Sequence, residues 1–166
     1  MTSTRPSQAT VEGRVIGLDL GARRVGVALS DDRRRVAAAY SVMARHRSHA
    51  EDHAELATLV AETGANLVVV GLPLSLSGSA GPAARAVKSE VNEMRRALPV
   101  PVECCDERYT TVIAQRALAA GGRRPALRRA VVDKVAAAAI LQTWLDRQNG
   151  PAAAEGRAAG PAPQYW

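Results

Sequence analysis

The sequence predicts an α/β fold on a mixed five-stranded sheet, with three strands in an antiparallel meander, two parallel strands, and helices on both sides. Three observations lead there. Short apolar runs follow one another closely between residues 14 and 42. The run LVVVGLP at 67–73 is continuously apolar, as strands covered on both faces are. Helical periods separate it from its neighbours on either side. At 166 residues the chain has the length of about one domain.

Residues 14–20 form the first strand, 24–30 the second and about 35–42 the third, with turns at Gly21-Ala22-Arg23 and Asp31-Asp32. From Ser48 to Thr63 the period is helical, with Ala50, Ala54, Ala57 and Val60 or Ala61 along one face and Gly64 as the stop. The strand at 67–73 leads through the Gly/Ser loop SLSGSAGP into a helix from about Ala83 to Leu98. VPVECCDE, residues 100–107, supplies the fifth strand. Thr110 or Thr111 caps a helix that reaches Ala120 and stops at Gly121-Gly122, and a last helix extends from about Pro125 to Gln148. The polar residues 1–12 and the Pro/Ala/Gly-rich residues 150–166 are expected to be flexible ends of a domain spanning 13–149.

The 22 Lys and Arg against 16 Asp and Glu leave a formal charge of +6, which favours polyanionic partners such as nucleic acid. No stretch approaches the ~20 apolar residues of a membrane span, and MTSTRPSQAT lacks the apolar core of a secretion signal, so a cytoplasmic protein without a membrane partner is expected. Cys104 and Cys105 are adjacent, where a mutual disulfide would be strained, and read as reduced strand residues. There is no G-x-x-x-x-G-K-[ST] phosphate loop and no G-x-G-x-x-G after the first strand. A Ser or Cys nucleophile needs a histidine base, but His46, His49 and His53 share one short segment. With Asp52 nearby that segment resembles a zinc cluster, although a solvated helix face is the better account.

Three acids sit where a packed core would exclude them. Asp19 ends the first strand after Val15, Ile16 and Leu18; Glu107 ends the fifth after Val100 and Val102; Asp133 stands in line with Ala136, Ala137, Ile140 and Trp144 on the last helix. An ionised carboxylate at buried surface must be paired, protonated or bound to metal. Three together raise one another's pKa values unless a cation offsets the repulsion. Oxygen ligands without His or Cys select magnesium or manganese, and two such ions about 3.5–4 Å apart activate water and stabilise the leaving oxygen of a phosphodiester. The alternative is purely structural: Asp19 bonds the amides of the Gly21 turn, Glu107 pairs with Arg108, and Asp133 pairs with Arg129 one turn back.

Four segments, GLDLGARRVGVALSD (17–31), VVVGLPLSLSGSAGP (68–82), DERYTTVIAQ (106–115) and DKVAAAAILQTWL (133–145), together resemble the YqgF/RuvX family, described as Holliday junction resolvases and as nucleases that mature the pre-16S rRNA end. The resemblance implies a ribonuclease H-like fold and an acidic active site holding Mg²⁺ or Mn²⁺. It assigns Asp19, Glu107 and Asp133 as catalytic residues and metal ligands of a two-metal site, with Asp19 bridging. Ser75-Leu76-Ser77-Gly78 stands where Asn-Met-Asp-Gly is common in the family, which leaves the loop acid without a counterpart.

Gly21 and Gly26 let the first hairpin turn tightly and let a phosphate approach the backbone. Arg23, Arg24 and Arg108 are candidate phosphate contacts, as are Gly78 and Ser79 before a helix start whose free amides favour an anion. The expected function is endonucleolytic maturation of the 5′ end of pre-16S rRNA by a monomer or homodimer. Cleavage of a branched DNA junction is the first alternative and a non-catalytic nucleic-acid-binding factor the second. Junction resolution requires a dimer that sets two sites across a symmetric substrate.

Overall fold

Three strands laid side by side open the domain, with turns short enough to force them antiparallel. The computed structural model describes residues 13–73, 79–106 and 125–150, the side chains of 125–130 excepted. Strands β1 (Arg14–Leu20), β2 (Arg24–Ser30) and β3 (Ala37–Ala44) form the meander. Helix α1 (His49–Thr63) then leads to β4 (Ala65–Leu72), and α2 (Pro82–Ala97) to β5 (Val102–Asp106). The last element is α3 (Pro125–Asn149). Five strands make one sheet in the order β3-β2-β1-β4-β5, with β1, β4 and β5 mutually parallel. The expected helix at 110–120, the chain ends 1–12 and 151–166, and Gly78, Glu107 and Arg108 lie outside the described residues.

Strand alternation divides the core into two layers. Ile16, Leu18, Val25, Val27, Val68 and Val70 face α1 and α2. Val15, Ala28, Leu67, Val69 and Cys105 face α3, which covers them with Ala137, Ile140, Leu141, Trp144 and Leu145. The adjacent Cys104 and Cys105 thus point to opposite layers and form no disulfide with each other.

Two expectations change. The third strand starts two residues later than predicted, because the Asp31 carboxylate accepts the amides of Arg35 and Val36 and draws both into the turn. The buried face of α1 is Asp52, His53, Leu56, Val60 and Thr63 rather than the alanine stripe, and Ala50, Ala54 and Ala61 are exposed. The helix ends are as read: Ser48 accepts the Glu51 amide at the start, and Gly64 closes the helix at φ 68°.

Candidate active site

The parallel direction of β1, β4 and β5 brings their C-terminal ends to one edge of the sheet, and β3, twice reversed from β1, ends there too. Asp19 lies near that edge. Val15 faces α3 and alternation puts Gly17 and Asp19 on the same side. Across the ladder Asp19 pairs with Gly26 and Gly17 with Ala28.

These small residues form a trough for α3. A Cβ on Gly17 would come 2.6 Å from the Leu141 Cβ and 3.1 Å from the Ala137 carbonyl oxygen, and a Cβ on Gly26 would collide with the backbone of Asp133. The absence of a side chain at Gly26 therefore lets the helix settle with Asp133 beside Asp19. This corrects the role expected for Gly26, which lies within β2 and not in the turn. Gly21 does belong to the turn: its amide donates to the carbonyl oxygens of Arg24 (2.9 Å) and Asp19 (3.2 Å).

The two acids repel. Burial, and then the neighbouring Asp133 carboxylate, push the Asp19 carboxyl up to about 6. Asp133 is held from its other side by Arg24, whose Nε donates to Oδ2 at 2.8 Å, with the two side chains 34% and 24% exposed. This partner comes from β2, 109 residues away in sequence; the side chain of Arg129, the partner expected one helical turn back, lies outside the described residues. Arg24 is correspondingly engaged, whereas Arg23 is exposed on the turn. Ser79 is exposed two residues before Gly81, the N-cap of α2, which has Pro82 in its first turn.

The structure therefore brings together Asp19, Asp133 and Arg24 of the residues singled out from sequence. Glu107 follows Asp106, the last described residue of β5, and lies outside the described residues. Among the described residues no group of three or more His, Cys, Asp or Glu side chains could hold a metal ion. The pair Asp19 and Asp133 nevertheless suits a hard divalent cation: both offer oxygen, and even with Arg24 against Asp133 the Asp19 carboxyl is pushed up by its neighbour, a repulsion that a bound cation would relieve.

A second polar cluster was not anticipated. Arg45, directly after β3, donates through Nε to the Gly21 carbonyl at 2.9 Å, and its own amide donates to the Arg23 carbonyl at 3.0 Å. Its Nη1 and Nη2 donate to Glu90 of α2, and Nη1 also to Asp52 of α1 at 2.9 Å. Asp52 and Glu90 are buried, so one guanidinium ties the turn next to Asp19 to both helices of that layer. Burial raises the Asp52 carboxyl, but the His46 amide and the Arg45 guanidinium outweigh it and hold Asp52 below the usual carboxylate range. His53 is also buried, which lowers its pKa, and its Nε2 has no hydrogen-bond partner.

The solvated helix face expected for the histidine segment holds for His46 and His49, which are exposed and meet Glu55 and Glu93, whereas His53 packs inward. The available signal was the spacing of Asp52 with Leu56, Val60 and Thr63, and of Glu90 with Val87, Val91 and Met94. Each acid is in phase with an apolar helical stripe.

A mixed sheet in this order and a helix laid across its first strands define a ribonuclease H-like domain, with two acids meeting at one edge of the sheet. A family model described as RuvX, Holliday junction resolvase, matches residues 13–147. The chain belongs to the RuvX family. A protein of Chloroflexus aggregans named "Putative pre-16S rRNA nuclease" is 43% identical over 140 residues, covering 84% of this chain and 98% of that protein. One of the same name from Mycobacterium sp. (strain KMS) is 46% identical over 145 residues, covering 87% and 86%. Among solved structures, T. thermophilus RuvC in complex with Holliday junction substrate has the same fold, with TM-score 0.50 at 16% identity over 83% of this chain and 96% of that one. No helix among the described residues is long and apolar enough to cross a membrane.

Proposed function

We propose that the chain is a divalent-cation-dependent endonuclease that hydrolyses phosphodiester bonds in structured precursor RNA, at the 5′ end of pre-16S rRNA. The observation that carries this reading is the meeting of Asp19 and Asp133 over Gly26 at the sheet edge, where burial and mutual repulsion prepare two carboxylates for a cation. The names of relatives 43% and 46% identical supply the substrate. Glu107 is assigned as the third acid. The support is strand alternation, since Glu103, bonded to Trp144 of α3, and Cys105 both face that helix.

Mg²⁺ or Mn²⁺, one ion or a pair, would be held by Asp19, Glu107 and Asp133 and would supply an activated water and charge stabilisation for the leaving oxygen. The residues of the chain do the rest. Asp19 is fixed by the β1–β2 ladder and Asp133 by the trough under α3, so neither carboxylate has to be ordered when substrate arrives. Arg23 on the turn, with Ser79, Gly78 and Arg108, is assigned to the substrate phosphates, which fix register without reading sequence. The domain is assigned to residues 13–149 and the reaction to the cytoplasm, where thiols such as Cys104 and Cys105 stay reduced.

The second reading, cleavage of a four-way DNA junction, is favoured by the description of the family model itself. One experiment addresses both. Labelled precursor RNA and a synthetic junction are incubated with the full chain, and with Asp19→Asn, in Mg²⁺ or Mn²⁺. RNA cleaved at the mature 5′ end, with the rate reduced more than about a hundredfold in Asp19→Asn while binding persists, is the expected result. Preferential junction cleavage by a dimer selects the second reading, and cleavage undiminished in Asp19→Asn removes the mechanism.

A further inference from the structure

We propose that the Arg24 guanidinium is a resident counter-ion of the acid pair, occupying Asp133 until a divalent cation arrives and then passing to a substrate phosphate. The inference rests on the metal-binding reading of Asp19 and Asp133 given above. Three observations carry it. Arg24 stands on β2 two residues from Gly26, so it shares the face of the sheet on which Asp19 and Asp133 meet. Its Nε bonds one oxygen of Asp133, Oδ2, at 2.8 Å, so a cation that draws on the charge of this carboxylate weakens the hold of the guanidinium, whether it takes Oδ2 or enters at Oδ1. The pair is partly open, with Arg24 34% and Asp133 24% exposed, so the guanidinium can leave without crossing packed core.

The alternatives on the same strand end behave differently. Arg23 is exposed and carries the same charge on the same turn. Arg45 is locked by Gly21, Asp52 and Glu90 and is not free to exchange. Arg24 alone of the three joins an acid of the candidate site to a partly solvated position. Its release couples the two ligands. A cation that takes Asp133 sets free a donor suited to bidentate phosphate contact, and the acids it leaves behind no longer repel the incoming polyanion.

The test measures Mn²⁺ affinity of the full-length chain by calorimetry, without nucleic acid. Arg24→Ala is expected to bind Mn²⁺ about tenfold more tightly than wild type, because no internal pair must be broken, while Arg23→Ala changes affinity by less than about threefold. In a second measurement, anisotropy of a labelled structured RNA with and without Ca²⁺, wild type should gain several-fold more affinity from the cation than Arg24→Ala gains. Equal gains in Mn²⁺ affinity from Arg23→Ala and Arg24→Ala would reduce Arg24 to a general field effect and overturn the proposal. So would unchanged or weaker Mn²⁺ binding in Arg24→Ala, which marks a purely structural pair. Asp19→Asn separates this from the underlying reading: if it binds Mn²⁺ as wild type does, the acids are not a cation site at all.

Discussion

Asp19 is the residue at which folding and function conflict. Its carboxyl is raised from 3.8 to about 6, first by burial and second by Asp133. The fold thus favours the protonated form. The stability this contributes is complete below the unfolded pKa and is lost as pH rises through about 6, leaving an ionised group that opposes folding at neutral pH. Asp19→Asn should therefore raise the melting temperature in metal-free buffer at pH 7.5, by up to about 3 kcal/mol of stability, with the gain vanishing toward pH 4. Thermal melts across that range check it, and a loss of stability at pH 7.5 would show that Asp19 is held by a favourable partner. At this scale the sequence was informative where an acid interrupted an apolar pattern, as with Asp19 and Asp133. It singled out Arg24 as a phosphate contact but not as the partner of Asp133, because an arginine beside a turn looks the same whether it faces water or an aspartate 109 residues on. His53 was misplaced for a related reason: its burial depends on α2, which no local pattern in α1 announces.

At the scale of elements, helix α3 and the strands beneath it are fitted through missing side chains. Gly17, Ala28 and Gly26 bring the helix axis close to the sheet, and at Gly26 the neighbour is backbone, which cannot rotate aside. Gly26→Ala is therefore expected to cost about 3 kcal/mol or more and to weaken Mn²⁺ binding by moving Asp133. Gly64→Ala, at a left-handed helix end with nothing within 4 Å, should cost about 1 kcal/mol and leave Mn²⁺ affinity unchanged. Chemical denaturation and calorimetry of both variants make the comparison. The strands and the ends of α1 were legible because alternation, the Ser48 cap and the Gly64 stop are local signals. The buried face of α1 was not, since alanine is equally at home on either side of a helix. What turned the helix was the combination of Leu56 and Val60 with the ion-paired Asp52.

Across the whole molecule, the mixed sheet with helices on both sides followed from the alternation of strands and helices, whereas the strand order and the closeness of distant acids are tertiary facts that only the strand pairing and the seat of α3 could establish. One layer, with Val15, Leu67, Val69 and Cys105, has α3 as its cover among the described residues. A chain ending before Pro125 should consequently fail to reach a native near-ultraviolet dichroism spectrum and should bind a hydrophobic dye; native packing of that fragment would contradict the central place given to α3. The same arrangement gives the protein a clock. Because the helix that covers this layer also delivers Asp133, a nascent chain on the ribosome cannot bring its two acids together until α3 has left the exit tunnel. The two carboxylates are then paired late, after the strands that hold Asp19 have already been made.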